Sequence, residues 1–147
     1  MLPRPFLSSL LMASLLAVSG VASAAGWAVN LSGAQEVPPN NSAAKGSGQV
    51  TVMPDGAVSG TITVTGMTPT AAHIHDGAAG KNGPVIVKLE RTETGFVVPA
   101  GTRLNEAQLA GFNAGNTYIN VHSEAFPPGE IRGQLTPPKT GGAMPGY

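Results

Sequence analysis

The chain has 147 residues, 11% of them charged, and a formal net charge of zero at pH 7, so its charge gives no indication of a nucleic acid or an anionic membrane as partner. It has no cysteine, which excludes a disulfide, a thiolate metal site and a thiol nucleophile. Glycine (20 residues) and proline (13) are abundant, a composition typical of a fold with many turns and few long helices.

Residues 1–24 have the pattern of a signal peptide. Arg4 precedes an apolar run from Phe6 to Val21, and Ala22-Ser23-Ala24 has the small residues of a cleavage site. Serine and glycine interrupt the apolar run, which favours a cleaved signal over an uncleaved membrane anchor. We therefore expect a secreted or periplasmic protein with no membrane attachment after cleavage.

Short segments of alternating apolar and polar residues begin at Trp27, and such alternation predicts strands with one face toward a core. The predicted strands cover residues 27–33, 48–53, 57–65, 71–76, 84–89, 117–123 and 130–135, with a short apolar piece at 96–99. Pro54-Asp55-Gly56 predicts a tight turn that joins two of these strands in a hairpin. The run 84–89 is almost continuously apolar, which suits a central strand apart from Pro84 at its start.

One segment has a helical pattern. Asn105 is expected to cap it, Gln108 occupies the capping-box position, and Gly111 is expected as the left-handed residue that ends it. Seven or eight short antiparallel strands with this one short helical turn predict an all-β fold, either a β-sandwich or a flattened Greek-key barrel. Residues 138–147 are rich in proline, glycine and polar residues, and we expect a disordered C-terminal tail.

All three histidines lie in two of the predicted strands. His73 and His75 flank Ile74, and His122 follows Val121. Because alternate residues of a strand share a face, the imidazoles project away from the core, and the first two are about 6.6 Å apart along their strand. If the two strands are neighbours, three nitrogens converge on the outer face of the barrel, a donor set that suits copper or zinc better than calcium or magnesium. The alternative is that three surface histidines merely decorate the sheet.

Five polar residues are candidates to complete such a site, as further ligands or as partners of the imidazoles: Asp76, Glu130, Glu36, Asn120 and Arg132. A water would serve equally as a further ligand. Glu130 would alternatively accept an N–H from a ligating imidazole and fix its tautomer, or form a surface ion pair with Arg132. Glu36 would alternatively be a buried anchor for the backbone donors of its loop.

No catalytic nucleophile stands out. The serines lack a Gly-x-Ser-x-Gly context. The glycine-rich stretch 77–83 is followed by Pro84 and an apolar strand rather than by a helix, so it does not have the pattern of a phosphate-binding loop. The sequence therefore favours a non-enzymatic protein.

Five motifs occur in order along the chain: Leu31-Ser-Gly-Ala-Gln-Glu-Val-Pro-Pro39, Ala72-His-Ile-His-Asp-Gly77, Asn82-Gly-Pro-Val85, Tyr118-Ile-Asn-Val-His122 and Gly129-Glu-Ile-Arg-Gly-Gln-Leu135. Together they resemble the chordin-type (CHRD) domain. The resemblance implies one Ig-like β-barrel domain over residues 26–137, of a kind found in bacterial secreted proteins and in extracellular chordins that bind growth factors. It implies no enzymatic activity. Asp76 stands where members often carry glycine.

The strand His73-Ile74-His75 with its glycine-rich loop is also locally similar to the copper strand of Cu/Zn superoxide dismutases. Without cysteines and with only three histidines, the two-metal site of that family cannot be built. We predict an exported, non-enzymatic CHRD module that binds copper or zinc through His73, His75 and His122. Two alternatives remain open: a module that binds an extracellular or periplasmic protein or matrix without a metal, and a copper-dependent redox enzyme.

Overall fold

The computed structural model describes residues 25–136, which form nine strands, one α-helix and one 3-10 turn. The strands are β1 (Ala25–Ser32), β2 (Lys45–Val52), β3 (Val58–Thr65), β4 (Pro69–Asp76), β5 (Val85–Lys88), β6 (Glu90–Arg91), β7 (Gly95–Val97), β8 (Thr117–Ser123) and β9 (Ile131–Leu135). The helix, α1, is Glu106–Asn113, and the 3-10 turn is Gly33–Gln35. The predicted signal peptide and C-terminal tail lie outside the described residues.

All nine strands belong to one antiparallel sheet in the order β5-β4-β8-β9-β1-β2-β3-β7-β6. Its two end strands, β5 and β6, are separated in the chain only by Leu89, so the chain steps directly from one end of the sheet to the other. Leu89 donates its backbone N–H to the carbonyl of Ala72 at 3.0 Å. The sheet is therefore a nearly closed barrel, and the all-β prediction is confirmed.

Strand alternation places the core where the sequence predicted it. Most inward side chains of the long strands are buried, and those of Trp27, Val50, Ile74, Ile119 and Leu135 are each at most 3% exposed. The hairpin across Pro54-Asp55-Gly56 is confirmed by the pairing of Val52 with Val58. Each fully buried aliphatic or aromatic side chain contributes roughly 1.5–3 kcal/mol of transfer free energy, which makes this interior the main source of stability.

The helix packs against the core, since the ring centroids of Trp27 and Phe112 are 3.9 Å apart. Its start is as predicted: the Asn105 side chain accepts from the backbone N–H of Gln108, and the Gln108 side chain accepts in return from the N–H of Asn105. Its end is later than predicted. Gly111 lies inside the helix, and Gly115, with φ of 78°, is the left-handed residue that follows.

Two strand expectations need correction. The structure has nine strands rather than seven or eight, because the short pieces β6 and β7 pair with each other and β7 pairs with β3. The apolar run 84–89 is not central: β5 is an end strand that pairs only with β4, and Val85 is 44% exposed. Within the described residues, no helix has the length and apolar character needed to cross a membrane.

Candidate metal centre

The two histidine-bearing strands are neighbours. β4 pairs with β8 in antiparallel register, which places His73 opposite Asn120 and Ala71 opposite His122. Residues directly opposite one another in a sheet point to the same face. The imidazoles of His73, His75 and His122 therefore leave one face of this strand pair, as the alternation predicts.

The three imidazoles converge. One ring nitrogen from each lies within 4.8 Å of the other two. The closest pair is His73 Nδ1 and His122 Nε2, which are 3.0 Å apart. Two nitrogens bound tetrahedrally to one ion at about 2.0 Å each lie about 3.3 Å apart. His73 and His122 thus already have the spacing that a single ion requires, and a nitrogen of His75 lies within 4.8 Å of both.

Backbone carbonyls fix the tautomers of two of the rings. His122 Nδ1 lies 2.8 Å from the carbonyl oxygen of Pro127, and His75 Nδ1 lies 2.8 Å from that of Gly83. A carbonyl oxygen only accepts, so each Nδ1 carries a proton and donates it. The Nε2 atom of each ring is then the nitrogen that can bind a metal, in the arrangement that orients metal-binding histidines in many proteins.

Asn120 lies at the metal-binding nitrogen of His75, with its Oδ1 2.9 Å from Nε2. A neutral imidazole has one N–H, and that proton already goes to Gly83. The contact with Asn120 therefore requires either an imidazolium ring or an amide turned over so that Nδ2 donates to Nε2. Asn120 orients His75 and competes with an ion for this nitrogen.

The surroundings of His73 favour its neutral form. Burial lowers the pKa of His73 below its ordinary value, and positive charge on His122, His75 or Lys88 lowers it further. A neutral imidazole has one nitrogen lone pair; in the structure Nδ1 of His73 donates its proton to Nε2 of His122, so an ion at the point of convergence would take the place of this proton.

Loops cover the outer face of these strands, which alternation alone does not predict. His75 is only 9% exposed and Asn120 only 4%. The ring of Tyr118 stacks on that of His75 with centroids 4.7 Å apart, and the guanidinium of Arg132 lies 3.5 Å from the Tyr118 centroid. The face is the outer one, as predicted, but the candidate metal centre is partly enclosed rather than open to solvent.

Arg132 is not half of a surface ion pair with Glu130, contrary to that expectation. Arg132 is 2% exposed, and its guanidinium donates to the carbonyls of Ala78 and Lys81 at 3.2 and 2.8 Å. Burial lowers the pKa of Arg132, although a guanidinium stays charged. Its contacts hold the glycine-rich loop whose Gly83 carbonyl orients His75.

Glu130 and Asp76 have partners other than the histidines. The Glu130 carboxylate accepts from the hydroxyl of Ser42 at 2.5 Å, so it does not fix an imidazole tautomer as expected. A Cβ placed on Gly111 would lie 3.3 Å from Oδ1 of Asp76, which locates this exposed carboxylate against α1. The convergent donors among the described residues are therefore three nitrogens without a carboxylate.

Glu36 is buried, at 7% exposure, and does not join the three imidazoles. Burial raises the pKa of Glu36 to about 7, against the opposing effects of the Arg132 charge and of a hydrogen bond from the backbone N–H of Val37. That hydrogen bond fits the expected role of a loop anchor. The Oε1 atom, however, has no hydrogen-bond partner among the described residues.

Three residues that orient the histidines were not predicted from the sequence: Tyr118, Gly83 and Pro127. Tyr118 carries a detectable signal, because it alternates on the same strand face as Asn120 and His122. Gly83 and Pro127 act through backbone carbonyls, which have no signature in residue type.

Comparison with known proteins returns one family. The family model described as CHRD domain matches residues 27–135, most of the 147-residue chain and all three histidines. No curated protein and no solved structure matches the chain.

Proposed function

The chain belongs to the CHRD domain family, and on that premise we propose that it is an exported, non-enzymatic CHRD module that binds one copper or zinc ion through His73, His75 and His122. The observation that carries the proposal is the convergence of one nitrogen from each of these three side chains within 4.8 Å. The chain has no other histidine.

The donor set supports copper or zinc. Imidazole nitrogen binds both metals well, whereas calcium and magnesium require several oxygen ligands. Three neutral nitrogens also leave a fourth position for water, as in many histidine-bound zinc and copper centres. The carbonyls of Gly83 and Pro127 accept the hydrogen bonds that keep two of the rings oriented.

Calorimetric titration of chelator-treated protein with Cu²⁺ and, separately, Zn²⁺ tests the proposal. We expect one ion per chain and an affinity at least roughly 100-fold lower in the double variant His73→Ala/His75→Ala, because that variant loses two of three ligands. Asp76→Asn is the matched control. It changes the carboxylate next to His75 in the chain, which faces α1, and this variant should bind the metal with the affinity of the wild type. Unchanged metal binding in the double variant would overturn the proposal.

A second candidate function is a protein- or matrix-binding module without a metal. The hydrogen bond between His73 and His122 favours it, since the two rings satisfy each other without an ion. Two results together would support this candidate in place of the first. The variant that lacks all three histidines would capture an exported partner as strongly as the wild type does, and the wild type would take up no metal.

A further inference from the structure

A cavity of about 330 Å³ lies beside the candidate metal centre, and of the three histidines only His75 lines it. We call it the Glu36 groove and define it by six of its lining residues: Glu36, Pro38, His75, Asn120, Phe126 and Pro128. Proline and phenylalanine rings form part of its walls, asparagine, histidine and tyrosine side chains form another part, and Glu36 is the only carboxylate among its lining residues. The groove therefore combines an apolar surface with one acidic end.

The acidic end has an unmet hydrogen-bonding capacity. Glu36 is 7% exposed, and its Oε1 has no partner among the described residues. The only ion pair among those residues is the distant contact of Arg103 with Asp55, so Arg132 influences the Glu36 charge without neutralising it by contact. A buried carboxylate oxygen without a donor is unfavourable, and a ligand that supplies an N–H would relieve it.

Glycine at position 129 lets the backbone pack against this end of the groove. Gly129 has φ of 138°, and a Cβ there would lie 2.5 Å from Glu36 Oε1 and 2.8 Å from Asn120 Nδ2. Any side chain at this position would collide with both polar groups. The chain thus brings a carboxylate and an amide together at one place in the groove.

We propose that the Glu36 groove binds a primary alkylammonium group, with the ammonium N–H groups donating to the Glu36 carboxylate and the alkyl chain lying on the proline and phenylalanine rings. The ammonium supplies both the missing donor and a positive charge for the carboxylate. A divalent cation fits less well, because it needs several oxygen ligands and the groove has one carboxylate. The source of the group is either a free amine or a lysine side chain. This proposal does not depend on the metal proposal.

Three probes test the proposal on chelator-treated wild-type protein, by calorimetry and by ¹H–¹⁵N NMR shifts. They are butylamine, butanol and Nα-acetyl-lysine amide, whose side-chain amine is free. We expect saturable binding of butylamine, with shifts at Gly83 and Gly129, and no saturable binding of butanol, which has a similar chain but no charge. Binding of both amines assigns the site to free amines and lysine side chains alike, and binding of the lysine amide alone assigns it to a protein side chain. Binding by neither amine, or equally by butanol, overturns the proposal.

The variant Glu36→Gln keeps the shape of the side chain and should bind butylamine at least roughly tenfold more weakly. The control Glu90→Gln, at an exposed strand position, should bind butylamine like the wild type. Wild-type affinity should rise about tenfold from pH 6 to pH 8, because a carboxyl with a pKa of about 7 is largely ionised only at the higher pH. The other charged or titratable groups around Glu36 are Arg132 on β9, His75 on β4 and Tyr118 on β8. Unweakened binding by Glu36→Gln would overturn the assignment.

Two further measurements are needed. The first shows whether Glu36→Gln still folds, and the second shows whether amine binding is independent of the metal ligands. The pKa of Glu36 is raised by folding, so its ionisation destabilises the fold as pH rises from 4.5 through about 7. Glu36→Gln should therefore resist urea better than the wild type at pH 8 and equally at pH 4. The double variant His73→Ala/His122→Ala, which removes the metal ligands outside the groove, should bind butylamine like the wild type, and loss of that binding would contradict a separate site.

Discussion

Saturating copper or zinc should raise the free energy of unfolding of the chelator-treated protein by about 2.7 kcal/mol when the free ion is at one hundred times its dissociation constant. The reason is linkage: the three nitrogens come from β4 and β8, which are brought together only by folding, so the ion binds the folded chain and not an equivalent site in the unfolded one. For a domain of this size the shift corresponds to roughly 10 °C in Tm.

Thermal unfolding with and without the ion measures this effect, and a chelator should reverse it. The single variant His122→Ala is the informative comparison, because it removes the ligand from β8 and leaves both ligands of β4 in place. Its metal-dependent shift should be less than half that of the wild type. A full shift in His122→Ala would mean that the ion binds within β4 alone, or elsewhere, and would contradict a centre built from two strands.

Replacement of Arg132 by methionine should destabilise the fold by at least about 3 kcal/mol. The guanidinium is 2% exposed and donates to carbonyl oxygens of Ala78 and Lys81, and its loss leaves both oxygens without this donor inside the protein. The variant also loses the contact of the guanidinium with the Tyr118 ring, which itself stacks on His75.

Urea unfolding compares this variant with Arg103→Met, a matched control in which an exposed arginine loses its ion pair with Asp55. Both side chains of this pair are exposed, and water and salt screen such pairs, so the control should change stability little. If Arg132→Met costs no more than Arg103→Met, the guanidinium does not hold the glycine-rich loop in the way its contacts indicate.

The strand pattern of this chain was largely predictable because alternation reports which face of a strand meets the core. Ile74 and Val121 are inward, so the histidines next to them are outward, and the sequence shows this directly. The pairing of β4 with β8 could not be predicted in the same way, because alternation shows which face of a strand a side chain occupies but not which strand lies next to it.

The burial of Arg132 was not predictable from strand alternation, whereas a buried Glu36 was one of the alternatives that the sequence offered. Alternation divides the residues of a strand between the core and the opposite side, and it does not report whether a loop covers that opposite side. The 77–83 loop covers Arg132 and presents Gly83 to His75. A candidate site on an outer strand face therefore depends on loop paths that residue periodicity does not encode.

The position of β5 has a similar cause. A continuous apolar run usually indicates a strand buried on both faces, but β5 follows Pro84 and pairs only with β4. Nothing in the run itself distinguishes a central strand from one at the point where a barrel nearly closes.

X-ray absorption at the metal edge of copper- or zinc-loaded protein tests the coordination of an ion by the three histidines most directly. We predict three nitrogen neighbours at about 2.0 Å, with the outer-shell scattering of imidazole rings, falling to one such ring in His73→Ala/His75→Ala. A spectrum with oxygen neighbours alone, or with a single imidazole in the wild type, would contradict the metal centre.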